Sequence, residues 1–169
     1  MTVAQRAGGL RLRPPRNLVD RRAITMWATR SAIGFAVAAL ALGVLAVLVE
    51  GAAVLFAALA ALTVVAGAAY AVVVPRWRYR VHRWEVTDDA VYTRSGWLWE
   101  QWRLAPMSRI QTVDTMRGPL YQLFKLSAVT VTTASAVGPI RIDGLDDEFA
   151  RELVDRLNHA TQAAPGDAT

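Results

Sequence analysis

One apolar block dominates this chain of 169 residues. The 45 residues of the segment 31–75 carry a single charge, on Glu50. As one helix, the block would be about 65 Å long, twice the roughly 30 Å of hydrocarbon in a bilayer. The block must therefore fold back on itself, and Glu50-Gly51 lies near its middle, where glycine permits the positive φ of a tight turn. The sequence predicts two membrane-spanning helices, at about 31–49 and 52–74, joined at Glu50-Gly51.

Positive charge flanks the block on both sides. Residues 1–30 carry seven arginines against one aspartate, and residues 76–83 carry four arginines and no acid. Because positive flanks stay on the cytoplasmic side, a multi-pass protein of the cell membrane with both termini in the cytoplasm is predicted. Trp27 and Trp77 occupy positions where aromatic residues are expected at the membrane interface.

Glu50 and the small residues of the block each allow two interpretations. An exposed carboxylate at a hairpin tip needs no partner, whereas a buried one could relay protons or bind a cation. Two pairs of small residues have the spacing that lets helices approach closely: Gly34 with Ala38, and Ala39 with Gly43. They could pack the two spans on each other, or they could mediate dimerisation or docking on the helices of a partner.

After the second span the pattern changes to short runs of alternating apolar and polar residues. Such runs, separated by turn residues, predict an antiparallel sheet with one buried face. Six strands are predicted, at residues 77–86, 90–94, 97–104, 109–115, 127–134 and 139–143. In the final segment, Phe149, Leu153 and Leu157 recur every four residues after Asp146, a good N-cap, which predicts an amphipathic helix over 146–160.

The predicted fold class is an α-helical transmembrane hairpin followed by an α+β domain. Four parts are expected in chain order: a basic flexible arm (1–22), the hairpin (23–76), the β domain with its C-terminal helix (77–160) and a disordered tail (161–169). The domain without its arm is neutral, so nucleic acid is not an expected partner. The chain has no cysteine and no motif for a metal, a cofactor or a catalytic nucleophile, so no such site is predicted.

One stretch, PMSRIQTVDTMRGPLYQLFKLSAVTVTTAS, carries a family pattern. It closely resembles the P-x-x-R-I-Q-x-V-D…G-P-L-x-x-x-F-x-L…T-V-x-T-A segment of the bacterial PH domain family, and the two preceding spans resemble those of its YdbS-like membrane proteins. The resemblance covers about residues 20–159 and implies a PH-like antiparallel β barrel or sandwich with a C-terminal helix. Such a barrel has seven strands, one more than predicted above. Lys125 stands where these proteins usually have glycine, which implies a less tight turn after the short helix that Gly118-Pro119 begins.

The resemblance also implies a function class, because the family is defined by fold and membrane topology rather than by a reaction. It implies a non-enzymatic module that binds or scaffolds another integral membrane protein, such as a larger relative with repeated PH-like domains; a homo-oligomer is the alternative. The candidate partner-binding residues are Arg109, Gln111 and Asp114. In a regular strand, Arg109 and Gln111 share a face opposite Asp114. Alternatively, the three form a hydrogen-bonded network that holds their strand to the short helix.

Binding of anionic lipid headgroups is the second functional hypothesis. Its candidate residues lie next to the membrane, where basic side chains attract anionic lipid: Arg76, Trp77, Arg78, Arg80 and Arg83. The first hairpin loop, 87–89, is acidic, which argues against a phosphate pocket there. Trp97, Trp99 and Trp102 either pack in the sheet or enter the membrane interface. The third hypothesis is an enzyme or transport accessory that uses Glu50.

Overall fold

Two long helices, α1 (Arg22–Leu48) and α2 (Ala53–Val81), run antiparallel to each other in the computed structural model, which describes residues 15–96, 99–134 and 138–163. Both helices are long and apolar enough to cross a membrane. The chain reverses between them at Glu50 and Gly51, and Gly51 has φ +85°. The predicted turn is therefore confirmed, and the Glu50 side chain is exposed at its tip.

The two helices pack tightly at a glycine on α2. A Cβ placed on Gly67 would lie 2.6 Å from Cβ and Cγ of Phe35, so only glycine fits against this ring. A Cβ on Gly34 or on Gly43 would meet nothing within 4 Å. The two glycines of the small-residue pairs therefore leave open space around them, and the glycine that packs tightly between the spans is Gly67 instead.

Helix α2 continues beyond the second predicted span. It ends where the backbone N–H of His82 donates to the carbonyl of Arg78 (2.8 Å), and strand β2 (Arg83–Val86) follows. The predicted strand over 77–86 is therefore wrong in its first half. The segment WRYRV alternates over only five residues, which is too short to distinguish a period of 2 from one of 3.6.

Seven antiparallel strands form two sheets in the described residues. One sheet has the order β1 (Asn17–Leu18), β2, β3 (Ala90–Ser95), β4 (Gln101–Pro106), and the other has the order β5 (Ile110–Met116), β6 (Leu126–Thr133), β7 (Ile140–Asp146). The seventh strand, absent from the sequence prediction, is β1, which precedes the helices and pairs with β2.

The segment before α1 belongs to the folded domain, which corrects the prediction of a flexible arm over 1–22. Pro15 is fully buried, and Val19 is part of the hydrophobic core. Arg22 bridges Asp20 and Asp146 through its Nη2 atom, at 3.0 Å and 2.5 Å. Residues 1–14 lie outside the described residues. The chain therefore enters the domain before it forms the hairpin.

The first turns of α1 also pack into the domain core. Ala23, Met26 and Trp27 are buried, and only 4% of Trp27 is exposed, so the prediction that this tryptophan lies at the membrane interface is wrong. The helix approaches β7 at Gly144, which has φ +84° and whose carbonyl accepts a hydrogen bond from the N–H of Asp20 (2.9 Å). The hairpin and the sheet domain are thus joined by a packed interface.

Helix α4 (Asp147–Ala163) covers the core from the C-terminal side. Asp146 caps it as predicted, because its Oδ1 accepts hydrogen bonds from the N–H groups of Glu148 (3.0 Å) and Phe149 (3.2 Å). Leu153 and Leu157 are buried in the core. The helix extends past 160, so the predicted tail is helical over 161–163, and residues 164–169 lie outside the described residues.

A short helix, α3 (Pro119–Leu123), connects β5 to β6. Gly118 precedes it and proline occupies its first turn, as the sequence predicts. Lys125 follows with φ +52°, in the left-handed region that favours glycine. The expectation of a looser turn is therefore wrong: lysine adopts the conformation that glycine would take more easily.

Candidate functional site

A buried carboxylate, Asp143 on β7, lies where the helices meet the sheet domain. Only 6% of Asp143 is exposed. Its Oδ1 accepts a hydrogen bond from the hydroxyl of Tyr121 on α3 (2.5 Å), and its Oδ2 accepts one from Nη2 of Arg78 on α2 (2.9 Å). Nε and Nη2 of Arg141 both lie 3.2 Å from Oδ1. One carboxylate thus connects α2, α3 and β7.

The surroundings of Asp143 keep it ionised. Burial raises the pKa of its carboxyl, but the hydrogen bond from Tyr121 and the charges of Arg141 and Arg78 outweigh burial, so the pKa lies below its usual value. Burial and the neighbouring carboxylate raise the pKa of the Tyr121 hydroxyl. At neutral pH the pair is therefore a carboxylate and a protonated phenol, an arrangement that holds elements together.

His82, directly after α2, contacts the same residue through its backbone. The N–H of Asp143 donates to Nε2 of His82 (3.1 Å), so the neutral ring carries its proton on Nδ1. Burial and the charge of Arg78 lower the pKa of His82 to about 4, although the charge of Asp143 acts in the opposite direction. His82 is therefore uncharged at neutral pH.

Trp27 extends these contacts to α1. Its ring lies edge-on to His82, with centroids 5.9 Å apart, and the guanidinium of Arg78 lies 4.2 Å from its ring centroid. The residues Arg78, His82, Tyr121, Arg141 and Asp143 are called the junction cluster below. Together with Trp27, they tie both long helices to the sheet domain.

The sequence prediction did not include the junction cluster apart from Arg78. One signal was present: Arg141 and Asp143 are two residues apart in a strand and therefore share the face opposite Ile140 and Ile142. That spacing marks a polar face of β7. It does not identify Tyr121 or His82 as partners, because these lie on distant segments of the chain.

The three candidate partner-binding residues are exposed: Gln111 and Asp114 lie on β5, and Arg109 ends the 3₁₀ turn Met107–Arg109 directly before that strand. The register of β5 shifts between Ile110 and Thr112, so the strand is irregular at Gln111 and the expected alternation of Arg109 and Gln111 against Asp114 does not apply. Asp114 accepts a hydrogen bond from the Thr112 hydroxyl (3.3 Å), on its own strand. Their role in partner binding remains a prediction.

The candidate lipid-interface residues are not brought together on one surface. Trp77 and Arg80 are exposed on α2, as is Arg76, whose Nη1 donates to the carbonyl of Val72. Arg78 instead faces the sheet domain, where it pairs with Asp143. Arg83 lies on β2, and its Nη1 is 3.5 Å from the carbonyl oxygen of Arg16.

An exposed apolar strip follows the edge strand β4. Trp102 and Leu104 alternate on this strand and are both exposed, and Trp99, just before it, is 84% exposed. The interpretation that these tryptophans pack in the sheet is therefore wrong for Trp99, whereas Trp102 is half exposed but faces Arg94 on the neighbouring strand β3. Trp97 lies outside the described residues. The guanidinium of Arg94 lies 5.1 Å from the Trp102 ring centroid. The residues Trp99, Trp102 and Leu104 are called the β4 strip below.

Comparison with known proteins assigns the fold. The model of the family described as Bacterial PH domain matches residues 28–161, most of the chain. The chain belongs to this family. The UPF0699 transmembrane protein YdbS of Bacillus subtilis (strain 168) is 32% identical over 95 residues, covering 56% of this chain and 58% of the relative. The chain thus spans less than two thirds of the length of that relative. No solved structure matches the chain significantly.

Membership of the bacterial PH domain family confirms the predicted resemblance to YdbS-like proteins and the predicted PH-like fold class. The similarity to a transmembrane protein agrees with the two long apolar helices. The chain is therefore a membrane protein of the bacterial PH domain family.

Proposed function

We propose that this chain is a non-enzymatic docking module, held at the cytoplasmic face of the membrane by its hairpin, whose PH-like domain binds another integral membrane protein. The β4 strip is the observation that carries the proposal. An exposed apolar strip along an open sheet edge is a common feature of protein–protein interfaces. The cytoplasmic orientation rests on the arginines that flank both spans.

The edge beside the strip is open to a new strand. Among the described residues, the backbone of β4 pairs only with β3, so its other side is free for an added strand. Main-chain hydrogen bonds along such an edge supply affinity, and alternate side chains supply specificity. Tryptophan is enriched among the residues that dominate binding energy at interfaces.

One member of the strip, Trp102, packs against a charged neighbour. Arg94 on β3 forms an ion pair with Glu100 (2.6 Å), and the same guanidinium lies beside the ring of Trp102. These contacts restrict the rotamers of Trp102 before a partner binds, which lowers the entropy cost of binding. The proposed partner is a larger membrane relative with repeated PH-like domains, and a second copy of this chain is the alternative.

The test is affinity purification of the full chain from native membranes in mild detergent, with quantification of the proteins that copurify. Trp102→Ser/Leu104→Ser, the β4 variant, is compared with Arg109→Ala/Gln111→Ala, the β5 variant, which alters the exposed surface at the start of β5. Thermal unfolding of each variant checks that the domain remains folded.

We expect a stoichiometric membrane protein with wild type and with the β5 variant, and its loss with the β4 variant. Loss with the β5 variant alone would transfer the docking surface to Arg109 and Gln111. If wild type retains only lipid and no protein, the docking function is wrong.

A further inference from the structure

A cleft of about 640 Å³ opens between α1 and α2 at the end nearest the sheet domain. Arg30 and Arg78 line its polar end together with Trp27. Gly34 and Ala38 line it further along α1, facing Tyr70 on α2. The cleft is separate from the β4 strip, and neither hypothesis depends on the other.

The cleft is polar at the end near the sheet domain and apolar further along the helices, so its polarity changes with depth in the membrane. Arg30 is the last charged residue before the uncharged segment that begins at Ser31, so its guanidinium lies at the depth of lipid headgroups. Gly34 and Ala38 lie one and two turns deeper, within the apolar span. A phospholipid has the same gradient, from a phosphate at the interface to acyl chains in the hydrocarbon.

Positive charge at the polar end is available to a ligand. Arg30 is exposed and pairs with no carboxylate in the part of the chain that the structure describes. Arg78 uses Nη2 for Asp143, and its side chain remains 35% exposed. A guanidinium presents five N–H donors in a planar fork, a geometry that suits phosphate oxygens.

The apolar part of the cleft has room for a hydrocarbon chain. A Cβ on Gly34 would meet nothing within 4 Å, so this stretch of α1 leaves a groove beside it. The rings of Phe35 and Tyr70 have centroids 5.5 Å apart and line the groove between the helices. Both helices are otherwise apolar here, which suits an acyl chain.

We propose that this interhelical cleft binds one anionic phospholipid, with its phosphate between Arg30 and Arg78 and an acyl chain along Gly34. The net positive charge at the mouth selects an anionic over a zwitterionic headgroup. Among the five juxtamembrane residues that the sequence suggested for lipid binding, only Arg78 lines this cleft; Arg30 supplies the second charge.

The test uses the full chain reconstituted in vesicles of equal parts phosphatidylglycerol and phosphatidylcholine, followed by gentle extraction and native mass spectrometry. We expect wild type to retain one phosphatidylglycerol in preference to phosphatidylcholine. Arg30→Gln should lower this occupancy roughly tenfold, because one charge-assisted interaction is lost. Gly34→Leu should abolish retention by filling the groove.

Two matched variants distinguish specific lipid binding in the cleft from nonspecific electrostatic attraction of anionic lipid to the chain. Arg76→Gln removes a juxtamembrane charge outside the cleft, and Gly43→Leu adds the same side chain where an added Cβ also meets nothing. Both should retain phosphatidylglycerol as wild type does. Equal losses for Arg76→Gln and Arg30→Gln would overturn the proposal, as would retention by Gly34→Leu. Retention of neither lipid by wild type would also overturn it and would favour a partner helix in the cleft.

Discussion

Nε2 of His82 accepts a hydrogen bond from the backbone N–H of Asp143 at 3.1 Å, in a buried site beside Trp27. This contact joins the end of the second long helix to the last strand of the sheet domain. It requires an unprotonated Nε2, because a charged imidazole has no acceptor nitrogen. Protonation of His82 therefore breaks this hydrogen bond, while the ion pair of Arg78 with Asp143 remains.

The first prediction is a loss of stability in mild acid. The pKa of His82 is about 4 in the folded protein and near its ordinary 6.5 in the unfolded chain. The unfolded state therefore binds a proton first as pH falls, and the free energy of unfolding should decrease from pH 6.5 to about 4, by about 3 kcal/mol in all. Melting of the detergent-solubilised chain, followed by tryptophan fluorescence at each pH, measures this.

Substitution of His82 identifies the titrating group. His82→Gln keeps an acceptor and cannot titrate, so its melting temperature should depend less on pH in this window. His159→Gln changes an exposed histidine on α4 and should follow wild type. If His82→Gln and wild type have the same pH dependence, a different group is responsible.

The second prediction concerns the buried charge of the junction cluster. Asp143→Asn leaves Arg78 and Arg141 without their carboxylate, and removal of one partner from a buried ion pair costs about 3–5 kcal/mol. The control, Asp114→Asn, changes an exposed aspartate of the same domain and should leave the unfolding midpoint unchanged. Denaturant unfolding in a mild detergent gives both values. Equal midpoints for the two variants would contradict a structural role for Asp143.

The third prediction tests the approach of α1 to β7. Gly144 has φ +84°, and a Cβ there would lie 2.6 Å from Cβ of Ala23. Gly144→Ala combines left-handed strain with overpacking, so it should destabilise the chain by about 2–4 kcal/mol. Gly118→Ala is the matched control, because φ is −87° and the nearest atom, Cδ2 of Tyr121, is 3.8 Å away. If Gly144→Ala has the same melting temperature as wild type, α1 does not pack tightly against β7 at this position.

The fourth prediction concerns the left-handed residue after α3. Lys125 has φ +52°, which costs a residue with a Cβ about 1–2 kcal/mol. Lys125→Gly removes that strain, while glycine increases the entropy of the unfolded chain, so a net gain of about 0.5–1 kcal/mol is expected. Lys125→Ala keeps the Cβ and should bring no such gain. If alanine stabilises as much as glycine in denaturant unfolding, the lysine charge is the cause instead.

The sequence by itself determined the parts of this protein whose information is local. A block of apolar residues interrupted only by Glu50 specifies two helices and their turn, because hydropathy and the glycine turn act within neighbouring residues. The N-cap at Asp146 and the spacing of Leu153 and Leu157 likewise specify α4. The motif around Gly118-Pro119 indicated the family.

Local patterns were insufficient where a segment fits two structures or is very short. The segment WRYRV is compatible with both a strand and a helix. In the folded protein it is the last part of α2, which packs against the sheet domain. Strand β1 has only two residues and pairs with β2, from which the whole helical hairpin separates it in sequence. No local period can reveal such a strand, because its hydrogen bonds all come from a distant segment.

Only the tertiary structure decided where the candidate sites lie. The junction cluster draws its side chains from α2, from His82 directly after it, and from α3 and β7. The cleft combines Arg30 on α1 with Arg78 on α2. The exposure of Trp102 depends on β4 being an edge strand. Burial and charge pairing are properties of neighbours in space, and in this chain those neighbours become adjacent only when the hairpin packs on the sheet domain.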